Sequence, residues 1–94
     1  MTPAVFYPTA QLSFKTVEQN NKALHLFCRK RQGRQLVCDL KQVTFCDSAG
    51  LAFLIQVKIL AQQYQQQVSF KHMNHSISAL ADFYDLNDLL NPLI

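Results

Sequence analysis

Residues 44–60 read TFCDSAGLAFLIQVKIL. A short strand-like approach ends in the polar pair Asp47-Ser48, and Ala49-Gly50 then opens a long apolar run. A short polar side chain directly before such a run is a helix-start signal. Stepping about 100° per residue from Ala49 places Phe53, Leu54, Val57, Leu60, Ala61 and Tyr64 in one sector. That sector is wide enough to face a sheet. Leu51, Ala52, Ile55 and Ile59 fall in a second sector, and Ser48, projected backwards, heads it. Gln56, Lys58, Gln62 and Gln63 flank this second stripe. An apolar stripe rimmed by polar groups is the mark of a protein-binding surface. The competing account is that a neighbouring helix covers it. Ser48 is read as the cap of the helix and as the head of the stripe, and a phosphorylation switch stays open. Asp47 is expected to fix the loop, and Gly50 to let two backbones approach closely.

The flanks supply strands. QLVCDL, residues 35–40, is a nearly all-apolar run of the kind buried on both faces in a central parallel strand. QVSFKHM, residues 67–73, is a second strand with Val68 and Phe70 inward. At the N-terminal end AVFY, residues 4–7, and QLSFKTV, residues 11–17, read as two strands joined in a hairpin at Pro8-Thr9. Leu12, Phe14 and Thr16 would share the inner side. EQNN, residues 18–21, starts a helix capped by Asn20 or Asn21. This helix runs to about Arg31, with Ala23, Leu24, Phe27 and Cys28 inward and Gly33 at its C′ position. A further helix covers about 77–84, and Asn87 caps a last turn through Leu90 that Pro92 stops. The order β-β-α-β-α-β-α predicts an α/β fold: a mixed four-stranded sheet packed with three to four helices, one domain over residues 1–94.

Composition narrows the function. The chain has 94 residues, 49% hydrophobic and 16% charged, with a formal net charge of +3. That small excess does not establish nucleic-acid binding. The basic segment 29–34 carries Arg29, Lys30, Arg31 and Arg34 but no interleaved aromatics to stack on bases. It leaves a lipid- or nucleotide-binding module as the lowest-ranked class. Cys28, Cys38 and Cys46 show no CxxC spacing and read as reduced thiols. His72 and His75 lie three apart with no third ligand indicated, so no metal site is expected. Ser48 has no base and orienting group assigned to it, and DSAG is not the GxSxG nucleophile elbow. The only glycines are Gly33 and Gly50, so there is no glycine-rich phosphate loop. The longest apolar run, residues 49–61, falls short of the roughly 20 residues that span a bilayer. These readings point away from an enzyme, a cofactor or direct membrane insertion.

The run LVCDLKQVTFCDSAGLAFLIQVKILAQQYQQQVSF, residues 36–70, resembles the STAS domain family of sulfate transporters and anti-sigma-factor antagonists. The pattern Asp39-Leu40, Val43, Asp47-Ser48, Gly50-Leu51 carries the resemblance, and LADFYDLNDLL, residues 80–90, is similar to that family's last helix. It covers about residues 5–90 and implies the STAS-like (SpoIIAA-like) fold. AGLAFLI and the ALADFYDLNDLL ending are most similar to the stand-alone STAS subunits of bacterial phospholipid-trafficking ABC transporters, which maintain outer-membrane lipid asymmetry. The resemblance implies a non-enzymatic cytosolic subunit that binds the ATPase subunit and supports its assembly and activity. Its setting would be a membrane complex with permease and substrate-binding subunits, at the cytoplasmic side of the inner membrane of a Gram-negative bacterium. The implied partner-binding residues are Asp47, Ser48, Leu51, Ala52, Ile55 and Ile59. In those subunits the hydroxyl residue at the helix start is often Thr; here it is Ser48, as in the phosphorylated anti-sigma-factor antagonists. An antagonist controlled by phosphorylation of Ser48 is therefore the alternative.

Overall fold

The computed structural model describes residues 4–30, 34–86 and 90. The elements run β1 (Ala4–Phe6), β2 (Gln11–Leu12), α1 (Val17–Lys30), β3 (Gln35–Asp39), β4 (Phe45–Cys46), α2 (Ser48–Gln63), β5 (Gln67–Lys71) and α3 (His75–Phe83). The α/β fold is as expected, but the strands form two parallel sheets rather than one mixed sheet. One is three-stranded in the order β1-β3-β5; the other pairs β2 with β4.

The expected hairpin does not form. β1 pairs with β3, Ala4 facing Leu36, and β2 pairs with β4, Gln11 facing Phe45. The β3–β4 side thus gains two residues over the β1–β2 side, and this splits one extended pairing into two short ladders. Pro8, which has no N–H to give a ladder, lies in the gap. Asn20 explains the rest. Instead of capping α1, it is buried inside it, where its side chain accepts from the Thr9 N–H at 3.1 Å. Its amide donates to Thr9 Oγ1 at 2.9 Å and to the Thr16 carbonyl at 3.1 Å. The clamp turns residues 7–10 toward α1, away from a hairpin.

Residues 13–16 leave strand geometry early. The Thr16 hydroxyl accepts from the Ser13 N–H at 3.1 Å, and the Thr16 N–H donates to the Ser13 carbonyl at 2.9 Å. This turn starts α1 at Val17 and puts Phe14 outside, 70% exposed.

β3 is the central strand, with Leu36, Val37, Cys38 and Asp39 all buried. α1 and α2 supply Leu24, Cys28, Leu51, Phe53, Leu54, Val57, Leu60 and Ala61 to one core, closed by Ile77 and Ala81 of α3. Phe6 meets Phe27 edge-on at 5.5 Å between ring centres. Val68 and Phe70 turn inward as expected and pack on the core half-buried, whereas Ala23 is exposed. Asn74 caps α3 by accepting from the Ile77 N–H at 2.9 Å. Leu90 is buried, while Arg31, Gly33, Asn87 and Pro92 lie outside the described residues. No described helix is long and apolar enough to cross a membrane.

Candidate functional site

The site is built around the entry to α2. Asp47 is the N-cap: its backbone is extended and its Oδ1 accepts from the Gly50 N–H at 2.9 Å. The cap is therefore Asp47 and not Ser48, which is the first helical residue and exposed. Asp47 also reaches across the chain. Its Oδ2 accepts from the Phe14 N–H at 3.2 Å, and its own N–H donates to the Leu12 carbonyl at 3.2 Å. One carboxylate thus pins the turn before α1 to the start of α2.

Gly50 makes that contact possible. A Cβ there would lie 2.7 Å from the carbonyl carbon of Leu12, inside its oxygen, and 3.0 Å from the Cys46 sulfur. The helix start packs on β2 backbone to backbone, as the lack of a side chain led one to expect. Burial and the Asp47 charge push the Cys46 thiol up to about 11, and burial with the Asp39 charge pushes Cys38 up to about 12. Burial also raises Cys28. None of the three is poised as a nucleophile at neutral pH.

The outward face of α2 divides the expected site residues. Ser48, Ala52 and Ile59 are exposed, and Ile59 keeps 44% of its surface. Ile55 is half-buried and packs on the core. Leu51, at 2% exposure, belongs to the core, so its side chain is not part of the outer stripe. Its 200° projection turns it toward the interior rather than outward. In the core-facing sector, Phe53, Leu54, Val57, Leu60 and Ala61 are buried, while Tyr64 remains 40% exposed.

Two exposed aromatics stand near the start of α2: Phe14, expected on the inner side of a strand, and Phe45, with no role assigned from sequence. Phe14 is carried on the N–H that Asp47 binds, and Phe45 stands two residues before Asp47, 53% exposed. The usable signal was SFKT, residues 13–16, a turn pattern of hydroxyls three apart, which ends the strand before Phe14. An open groove of about 420 Å³ runs between α1 and α2, lined by Val17, Asn21, His25, Ala49, Ala52, Phe53 and Gln56. Ala52 lies both on the groove and on the outer face.

Among the described residues no three His, Cys, Asp or Glu side chains gather where a metal could bind. His72 pairs instead with Asp39, Nδ1 to Oδ1 at 2.8 Å.

The comparisons with known proteins bear on the fold and the family. No curated protein matches the chain significantly in sequence. Among solved structures, a sulfate transporter family protein from Wolinella succinogenes superposes with a TM-score of 0.75 at 8% identity, over 94% of this chain and 70% of that one. At that identity the likeness speaks for the fold alone. The family model described as MlaB, STAS domain, matches residues 12–92. The match spans β2, the Asp47 cap, all of α2 and the closing leucines, and the chain belongs to this STAS domain family.

Proposed function

We propose that this chain is the STAS subunit of a phospholipid-transport ABC complex, binding the ATPase subunit and supporting its assembly and activity without catalysis of its own. The observation that carries the reading is the match of residues 12–92 to the MlaB-type model. The docking surface would be the start and outer face of α2: Ser48, Ala52 and Ile59, with Ile55 at its inner margin. Asp47 serves it by holding the helix start in place. An exposed isoleucine on a stripe headed by a free hydroxyl suits a protein contact better than bulk water. The chain would sit at the cytoplasmic side of the inner membrane through its partners, alongside permease and substrate-binding subunits.

The test is co-expression with the ATPase of a phospholipid-transport system, followed by affinity capture. The ATPase should co-purify with the native chain and be lost with Ile59→Asp, while the variant keeps its native melting temperature. Failure of the native chain to retain the ATPase would sink the reading.

One feature favours a second reading. Ser48 is an exposed hydroxyl in the first turn of a helix, open to a kinase. A phosphate would add about −1.5 to −2 charge at pH 7. The helix N-terminus favours that charge and the adjacent Asp47 carboxylate opposes it. In an anti-sigma-factor antagonist this modification would break the partner contact. Intact-mass spectrometry of protein from native cells decides: stoichiometric phospho-Ser48 supports the switch, and its absence across growth conditions rejects it.

A further inference from the structure

The parallel sheet brings the carboxyl ends of β1, β3 and β5 to one edge, because Phe6 faces Cys38 and Asp39 faces Lys71. Tyr7 and His72 directly follow β1 and β5, and Lys41 follows β3 after the buried Leu40. Open parallel sheets place their ligands outside this edge. We propose that this edge is an anion site that takes a phosphate group, held by Lys41, Lys71 and His72.

Charge is the first argument. Lys41 and Lys71 are exposed, and neither ammonium has a carboxylate partner among the described residues. The acid at this edge, Asp39, is already engaged. Its side chain is 9% exposed, and its Oδ1 accepts both the Lys41 N–H at 3.0 Å and His72 Nδ1 at 2.8 Å. Both ammoniums face solvent, Lys41 within reach of the Asp39 charge and Lys71 with no ion pair among the described residues.

Orientation is the second. A carboxylate on Nδ1 selects the ring form that carries a proton there, so Nε2 points away from Asp39. The His72 side chain is 60% exposed, which leaves Nε2 open to a ligand as a donor whenever the ring is protonated. Lys41 is directed too: its Nζ lies 5.3 Å from the centre of the Tyr7 ring.

Backbone strain is the third. His72 holds φ at 58°, in the left-handed region. Gln65 and Asp85 share that conformation where they close α2 and α3, but His72 closes no helix. Residues with a Cβ are kept in this region only when their surroundings demand it, and such positions gather at ligand sites. Here the Asp39 bond holds the ring at the edge.

The experiment titrates isotope-labelled protein with inorganic phosphate at low salt, following the amides of Lys41, Lys71 and His72. A parallel arm sediments the protein with vesicles of phosphatidylglycerol or of phosphatidylcholine. Saturable shifts with phosphate and no vesicle binding identify a soluble phosphate ligand. Co-sedimentation with phosphatidylglycerol but not phosphatidylcholine identifies a lipid headgroup. Either result supports the site if Lys41→Ala with Lys71→Ala weakens it by about tenfold or more, the expected loss of two charge-assisted contacts. The pair Lys15→Ala with Lys30→Ala, which removes the same charge elsewhere, should leave it unchanged. Binding to neither probe, or equal loss in the two double variants, overturns the proposal. The site shares no residue with the α2 docking surface, so each stands or falls alone.

Discussion

At the residue scale, Asp47 and Ser48 divide two jobs that their adjacency in sequence had merged. Asp47 makes the capping bond and ties down Phe14; Ser48 is exposed and caps nothing. Both are short polar residues suited to a cap, and only the backbone geometry tells them apart. Ser48→Ala should therefore shift stability by less than about 0.5 kcal/mol, as for an ordinary surface change. Asp47→Ala should cost about 0.5–2 kcal/mol as a lost cap, and more if the Phe14 N–H finds no water. Urea unfolding of the two variants checks this, and a larger loss for Ser48→Ala would reverse the assignment. Gly50 is stricter still, because a Cβ would overlap the Leu12 carbonyl in backbone, where no rotamer can yield. Gly50→Ala should cost about 1–3 kcal/mol or more, the usual range for overpacking. Urea unfolding of this variant beside the native chain measures the loss.

At the element scale, α2 was the most legible part of the chain. Its boundaries, 49 to about 65 by pattern, come out as Ser48–Gln63, because one long apolar run with period 3.6 has few other readings. Its inner face was legible for the same reason, and Leu51 failed only because it lies where the two sectors meet. β3 was legible from its apolar content, and β5 as a strand that turns Val68 and Phe70 inward. β1 and β2 were not, since their partners lie some thirty residues away and local alternation says nothing about which strand accepts them. The outer stripe of α2 grades from core to solvent, which yields a contrast. Ile55 packs on the core whereas Ile59 is exposed. Ile55→Asp should bury an unpaired charge at a cost of several kcal/mol, about 3 or more. Ile59→Asp should stay within about 0.5 kcal/mol of the native value. Thermal melts of both, read before any binding assay, establish which variant can report on docking. A melt of Ile59→Asp as low as that of Ile55→Asp would place Ile59 inside.

At the scale of the whole molecule, two polar clamps join segments that periodicity alone would leave apart. Asn20 holds the β1–β2 connection to α1, and Asp39 joins the loop after β3 to the end of β5. Neither was legible in the sequence, because each links residues distant in the chain. Asp39 makes the second clamp sensitive to acid. Burial works to raise its carboxyl, but the Lys41 N–H, the His72 bond and charge, and the Lys41 charge outweigh it and hold the carboxyl below its usual value of 3.8. A depressed folded value means that the carboxylate form is stabilised by folding. That stabilisation is fully present above the usual value and is lost as pH falls through the folded one. Stability should therefore hold as pH drops toward 4 on this account and decline below it. Removing the ring takes away one of the lowering influences. His72→Gly does so while suiting the left-handed backbone at this position. In the variant, the Asp39 carboxyl-carbon resonance should titrate at higher pH than in the native chain. The loss of stability between pH 6 and pH 3 should shrink with it. An unmoved Asp39 titration would mean that Lys41, through its N–H and its charge, sets the carboxylate, and that His72 is oriented by Asp39 without holding it in return.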